Sequence, residues 1–379
     1  MITPFSIQAS QNEDGVEAVF GRAFHSYPIA LLQTFGRHPG RFLSSWSLAL
    51  RHRPPGLRAL LWSQFHFVEA MLLATLMKTA GCTHLHNHFA NSAATVGLIA
   101  AHYLNIPWSF TLHGISETDY PAGVLLSDKL ERADFVACAS YFMRAQAMRA
   151  VDFQHWEKMH IIRCGVDVDR IQTVGDSLDA SRRTIVEQGQ AASVRIITVG
   201  RLSAEKGYFG LLEVLARLHA KGAVFTATIV GDGPSGDAIH ATTKSLALDR
   251  VVRFTGALPE PETLWEIEQS DIMVLPSLME GLPVVLIEAL AMRKAVVASQ
   301  VAGIPELVSE GVTGLLFTPS NWVDLEQQLS KLLANPEMRT VLGRQGFNRV
   351  QAEFGSAPAA EILKKLFVGA PKKDGSTAR

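Results

Sequence analysis

Two glutamates, Glu280 and Glu288, bracket the phrase EGLPVVLIE, and what lies between them decides what they could do. Pro283 opens an apolar run, and proline suits the first position of a helix because its missing N–H has no partner there anyway. The run therefore predicts a helix beginning at Leu282 or Pro283, with Glu280 just before its mouth and Glu288 one to two turns inside. A helix mouth offers unpaired N–H groups and the positive end of the dipole, a natural seat for phosphate. Carboxylates on either side of that seat can accept hydroxyl hydrogens of the kind a ribose or hexose supplies. From spacing alone, two solvated glutamates are an equally good reading.

Other segments carry chemistry of compatible kinds. VGRLSAEKG follows an apolar strand pattern and precedes a helical one, so Arg201 and Lys206 fall in a strand-to-helix loop. Two cations there could compensate charge developing on a departing diphosphate, arginine as a bidentate fork and lysine as a point charge. Exposed loop cations are the bland alternative. HLHNHF places His84, His86 and His88 on one face of a strand, since side chains alternate with period two. Such histidines could line a ligand face, serve the packing, or ligate a metal. In FTLHGISETDYP a strand ends at His113, and Gly114 allows close backbone approach to a ligand; a core histidine is the alternative. GDGPSG at 231–236 is formally a Gly-x-Gly-x-x-Gly after a strand. Its mid-chain position and Pro234 argue for a plain turn and against a dinucleotide site.

These residues must be held by a frame, and the chain is long enough for two domains. It has 379 residues, 47% hydrophobic and 19% charged, with a net charge of −1, which disfavours a nucleic-acid binder. Three cysteines without C-x-x-C spacing indicate neither a disulfide framework nor a zinc site, and the start lacks signal-peptide features. The expected location is cytoplasmic. The apolar stretch Leu57–Met77 carries Arg58, Gln64, His66 and Glu69 and reads as a helix that does not span a membrane. Residues 18–68 hold six arginines and no acid, interleaved with Trp46, Trp62, Phe65 and Phe67. Such a patch suits an anionic membrane surface or a lipid-diphosphate acceptor, or else is a solvated face.

Strands are expected at Arg195–Val199, Phe225–Val230, Val251–Thr255, Asp271–Leu275, Ala295–Ser299 and Leu315–Thr318, with a helix over Tyr208–Ala220. The first half repeats the alternation: strand Thr83–Phe89, helix Ser92–Leu104, strand Trp108–Leu112, a helix near Val124–Arg132, then strands Phe135–Ala139 and His160–Arg163. The expected class is α/β, two Rossmann-like domains facing across a cleft, with ligands at the carboxyl ends of the strands. The expected boundaries are 1–175, a linker 176–193, 194–355, and a C-terminal helix and disordered tail over 356–379.

The Glu280-to-Glu288 phrase with Gly281 inside it resembles the retaining glycosyltransferases of family 4, which have a GT-B fold. VAGIPELVSEGVTGLLFTP is similar to that family's Gly-x-x-Glu and Gly-x-x-Gly segment, and the likeness runs from about Thr83 to Phe354. The resemblance implies a donor-sugar contact for Glu280 and a ribose contact for Glu288. It implies diphosphate contacts for Arg201, Lys206 and the helix mouth at Gly281, Leu282, Pro283 and Val284. His113 would then lie near the reacting carbon and His88 on the acceptor side. The loop Gly256–Pro259, including Leu258, would meet the base. Asp167-Val168-Asp169 resembles the Asp-x-Asp metal motif of the other major glycosyltransferase fold, but matches a Gly-Val-Asp turn in this one. No metal or cofactor is implied beyond a UDP- or GDP-sugar substrate.

HxHF followed by FTLHG…E resembles enzymes of colanic-acid-type exopolysaccharide assembly, with a glycan or lipid-linked acceptor and a peripheral contact on the inner membrane. The chain departs from the family twice. Arg293, Lys294 and Ala295 stand where a Gly and a Pro are usual, which questions a turn. MITPFSI looks like the family's second strand, so the first strand and helix are expected to be missing. The opposing readings are a catalytically impaired GT-B partner subunit and a metal-dependent hydrolase built on His86 and His88.

Overall fold

The structure, a computed structural model, describes residues 2–3, 17–18, 23–119, 122–173 and 193–369. Arg22, residues 176–192 of the expected linker and residues 370–379 of the expected tail lie outside the described residues. The described chain forms two compact units. One comprises residues 1–139, 143–162 and 363–379; the other comprises 140–142 and 163–362.

The first unit contains a four-stranded parallel sheet of β3 (Leu85–His88), β4 (Trp108–Leu112), β5 (Phe135–Cys138) and β6 (Met159–Ile161), in that order. Two short strands, β1 (Ile2–Thr3) and β2 (Glu17–Ala18), pair only with each other. Among the described residues β3 is therefore an edge strand. The helix Ser92–Leu104 starts where the Asn91 side chain accepts the amide of Ala93 and ends at Asn105 in the left-handed region, a helix-terminating conformation. Three further helices, Ser26–Arg37, Pro39–Arg51 and Leu57–Thr79, pack against it and one another. The third, expected from its polar residues not to span a membrane, is long and apolar enough to do so by length and composition alone. Its second half buries Phe67, Ala70, Met71, Leu72, Ala74 and Met77 within the protein.

The second unit is a six-stranded parallel sheet, ordered β12 (Leu315–Phe317), β11 (Ala295–Ser299), β10 (Ile272–Leu275), β7 (Val194–Val199), β8 (Phe225–Val230), β9 (Val252–Gly256). Both faces are covered, so its strands are largely apolar, most of all β10 and β11, and alternate residues enter different cores. Ile196, Ile229, Val274 and Val297 pack with the helices Tyr208–Ala220 and Trp322–Ala334 on one side. Ile197, Val230, Met273 and Val296 pack with the helices Glu260–Glu268 and Val284–Ala291 on the other.

The turn questioned by the missing Gly and Pro does form. Arg293 adopts φ 56°, Lys294 N–H donates to Ala289 O, and β11 begins at Ala295. Left-handed backbone in a residue other than glycine costs on the order of 1 kcal/mol. The Arg293 guanidinium lies 4.0 Å from the centre of the Phe347 ring, a cation–π contact that offsets part of this.

Candidate active site

In the second unit the site begins at the carboxyl ends of β7 and β10. After β7 the chain turns through Gly200, and the amides of Gly200 and Leu202 donate to Val230 O and Asp232 O of the next strand-end. A Cβ at Gly231 would stand 2.0 Å from Gly200 O, so the GDGPSG turn is glycine-rich in order to pack against the Arg201 loop. Arg201 is exposed on that loop. A short 3₁₀ turn, Ala204–Lys206, follows and ends at Gly207 with φ 70°. A side chain at Gly207 would strike Pro276 O, at the end of β10. The Leu278 amide donates to Glu205 O, tying the two strand-ends together.

This packing brings Lys206 and Glu280 into contact, with Nζ 2.6 Å from Oε1. Ser277 Oγ donates to the same Oε1 at 2.6 Å, and Ser299 Oγ donates in turn to Ser277 O. Glu280 is buried and Lys206 half-buried. Lys206 has three donors, so one N–H to Glu280 leaves two for a ligand. Beyond Glu280 the helix Val284–Ala291 starts one to two residues later than the sequence predicts, with Pro283 as its N-cap and no side chain capping it. The Leu286 amide bonds Pro283 O, which leaves the amides of Val284 and Val285 available to an anion.

Glu288 sits on the second turn of this helix. Burial, with a smaller push from the Glu260 carboxylate, raises its pKa from 4.5 to about 7, and Arg170 opposes the rise. Arg170 is itself engaged by Glu260. Leu258 is half-buried beyond Gly256 (φ 73°), and its carbonyl accepts the Thr263 hydroxyl. Asp167 accepts the Arg170 amide and so caps the helical turn that follows, which gives the Asp-x-Asp phrase a structural role. Among the described residues no group of three or more His, Cys, Asp and Glu is placed to hold a metal.

In the first unit the register Leu85↔Trp108 aligns the ends of β3 and β4 and brings His88 to His113. Nδ1 of His88 lies 2.9 Å from Nε2 of His113, with the rings stacked at 5.2 Å between centres. One ring must donate and the other accept, so the contact requires at least one neutral imidazole. Burial, helped by the neighbouring His88, lowers the His113 pKa from 6.5 to about 4. His86 bonds to Ser109 and Thr111, and burial takes it to about 3. His84 bonds to Ser109 Oγ. His84 and His86 thus form part of the packing of this sheet face, while His88 and His113 mark the strand-ends.

Two charged residues, Glu117 at the end of FTLHG…E and Lys129, are buried behind His113 without having been candidates for the site. Glu117 accepts the amides of Ala90, His113 and Gly114, at 2.7, 2.6 and 2.9 Å. Lys129 donates to Ala90 O at 2.6 Å and Asn91 O at 2.9 Å. Burial raises the Glu117 pKa, against the pull of its three amide bonds and of Lys129. It lowers that of Lys129 to about 8, against Glu117 and Asp128. Glu117 has a sequence signal, standing three residues after Gly114 as in a capping box. Lys129, within LSDKLER, has none.

Two parallel α/β units of this topology define the glycosyltransferase architecture GT-B. Comparison with known proteins agrees. Residues 185–349 match the family model of glycosyl transferases group 1, and residues 46–170 match that of glycosyltransferase family 4. Together the two matches span most of the chain, which is a glycosyltransferase. It is 26% identical over 362 residues to the teichuronic acid biosynthesis glycosyltransferase TuaC of Bacillus subtilis, covering 92% of this chain and 88% of that one. It is 29% identical over 220 residues to the amylovoran biosynthesis glycosyltransferase AmsK of Erwinia amylovora, covering 55% of this chain and 51% of that one. The fold is similar to that of Anabaena HepE, crystallised with UDP-glucose, with a TM-score of 0.65 at 21% identity over 78% of this chain and 82% of HepE.

Proposed function

We propose that this enzyme moves a hexose, with retention of configuration, from a UDP- or GDP-sugar to a glycan or lipid-linked acceptor in cell-surface polysaccharide assembly. The observation that carries the reading is the Lys206–Glu280 contact at the uncapped mouth of the helix Val284–Ala291. Arg201, Lys206 and the amides of Gly281, Leu282 and Val284 stabilise the diphosphate as the bond from the anomeric carbon to phosphate oxygen breaks. Pro283 sets the entry of the helix. Glu280 accepts hydroxyls of the sugar, Glu288 those of the ribose, and the backbone around Leu258 meets the base. His113, supported by His88, lines the reacting face. The acceptor hydroxyl attacks from the side the diphosphate leaves, and its proton passes to the departing phosphate oxygen. On this reading the protein's own cations and helix dipole do the work that a metal ion does elsewhere. Relatives named for teichuronic acid and amylovoran biosynthesis support the polysaccharide assignment. The test is a screen of UDP- and GDP-sugars for donor hydrolysis and transfer, with the anomeric configuration of the product read by NMR. Nucleoside diphosphate release should fall at least 100-fold in Lys206→Ala. Turnover within threefold of wild type would remove the diphosphate assignment.

The acceptor side of the reading includes a cytoplasmic location and a peripheral contact with an anionic bilayer. Trp46, Leu57, Leu61, Trp62 and Phe65 are exposed on the hairpin of the helices Pro39–Arg51 and Leu57–Thr79, and Trp46 Nε1 bonds Gln64 across it. Arg51 and Arg58 flank them, both exposed, and among the described residues neither has a carboxylate partner. Aromatic and apolar side chains edged by arginine match the boundary between acyl chains and anionic headgroups. Flotation with vesicles containing phosphatidylglycerol should carry the wild type and release it at high salt, whereas Trp62→Glu/Phe65→Glu should remain unbound. Equal flotation of both proteins would exclude this face.

A further inference from the structure

The Glu117–Lys129 arrangement lies outside the proposed chemistry, yet it holds both loops on which that chemistry depends. The backbone of Ala90 is gripped at both ends, its N–H by Glu117 and its C=O by Lys129. The other carboxylate oxygen of Glu117 takes the consecutive amides of His113 and Gly114. One buried side chain thus links the loop after β3, which carries Phe89 and Ala90 next to His88, to the loop after β4, which carries His113. Glu117 and Lys129 are 3% and 2% exposed, so both charges have been taken from water at considerable cost. Three amide donors to one carboxylate and two carbonyl acceptors to one ammonium replace the lost hydration.

The gripped backbone is strained at a telling position. Phe89, immediately before Ala90, has φ 68°, an unusual conformation for an aromatic residue. Its ring centre lies 4.6 Å from that of His113, and its own amide donates to Thr111 O. Such conformations persist only where surrounding contacts over-determine them, and here the clamp on Ala90 supplies those contacts. A hydrophobic pair of similar volume could fill the same space, but it could not fix three amides and two carbonyls at once.

We infer that Glu117, with Lys129 gripping the same Ala90 loop, is a positioning residue that sets the His88–His113 pair for the transfer reaction. This rests on the proposed placement of His113 at the reacting face. Glu117→Gln keeps the shape but loses an acceptor, so one of the three amides is left without a partner and the loops shift. A misplacement of about 1 Å costs on the order of 100-fold in rate.

The experiment is a double-mutant cycle on purified, folded enzyme with a UDP- or GDP-sugar donor. Glu117→Gln should lower kcat about 100-fold with the donor KM within threefold of wild type. In a His113→Ala background the same change should cost less than threefold, because its route of action is already gone. The imidazole ¹⁵N shifts of His88 should move in Glu117→Gln with no donor present. Should Glu117→Gln fail to fold, Lys129→Met carries the same test, with the same losses expected in the two backgrounds. Wild-type turnover by His113→Ala would overturn both the placement of His113 and this inference. A His113→Ala enzyme that is impaired, and in which Glu117→Gln costs its full 100-fold again, would overturn the positioning role alone. Unmoved His88 shifts would do the same.

Discussion

Replacing Lys206 with alanine removes an ammonium 2.6 Å from Glu280 Oε1 and leaves a carboxylate with 8% side-chain exposure and, among the described residues, only Ser277 Oγ as its side-chain donor. Breaking a buried pair by deleting one partner costs about 3–5 kcal/mol. Lys206 keeps 22% side-chain exposure and Ser277 still donates, which discounts this below that range, to about 2–3 kcal/mol. The catalytic loss is separate. One charged donor facing a developing anion contributes about 3–4 kcal/mol, or 10²–10³ in kcat. The double variant Lys206→Ala/Glu280→Gln separates the two effects. It removes the unpaired charge, so urea unfolding should recover at least half of the lost stability. Nucleoside diphosphate release should stay as low as in Lys206→Ala. A double variant that regained turnover along with stability would refute the reasoning, because Lys206 would then serve only to neutralise Glu280.

Three further outcomes follow from the site. Glu288 titrates near pH 7 in the fold and near 4.5 unfolded, so the native state holds an extra proton between those values and this group's contribution to stability declines as pH rises through that window. Its carboxylate form is the one that accepts ribose hydroxyls, so donor affinity by calorimetry should rise several-fold from pH 6 to 8, and Glu288→Gln should flatten the profile. His86 and His113 titrate near 3 and 4 in the fold against 6.5 unfolded. The stability they contribute is therefore present above pH 6.5 and is lost as pH falls toward 4, at no more than about 1.4 kcal/mol per pH unit for each ring. Urea midpoints should drop between pH 7 and 5, and less so in His86→Gln. Gly231→Ala places a methyl 2.0 Å from Gly200 O on a backbone with φ 138°. It should displace the Arg201 loop and weaken donor binding at least tenfold by calorimetry, whereas Gly222→Ala, which meets nothing within 4 Å, should leave binding unchanged.

Much of the second unit was legible because its information is local. Phe225–Val230 and Ala295–Ser299 are short runs rich in apolar and β-branched residues, and both form strands over those residues. Pro283 announced a helix mouth to within one or two residues. The helices Ser26–Arg37 and Pro39–Arg51 went unpredicted, since glycine, proline and aromatic residues blur their period and packing against Leu57–Thr79 and Ser92–Leu104 supplies what propensity does not. Arg293 shows the converse, a turn that sequence habit questioned and tertiary contact secured.

By itself the sequence determined the types of chemistry present: cations in a strand-to-helix loop, carboxylates around a helix mouth, and histidines at strand-ends. Each follows from residues within one or two turns of each other, where backbone geometry leaves little choice. Only the tertiary structure decided which groups touch. Lys206 meets Glu280 across 74 positions because β7 and β10 are neighbours in the sheet. His113 meets His88 through the β3–β4 register, and Lys129 reaches Ala90 across 39 positions. Contacts of that kind depend on strand order and burial, which no short window of sequence contains. Burial is also what pushed Glu288 up to about 7 and His113 down to about 4, so the protonation states of the candidate site are properties of the fold.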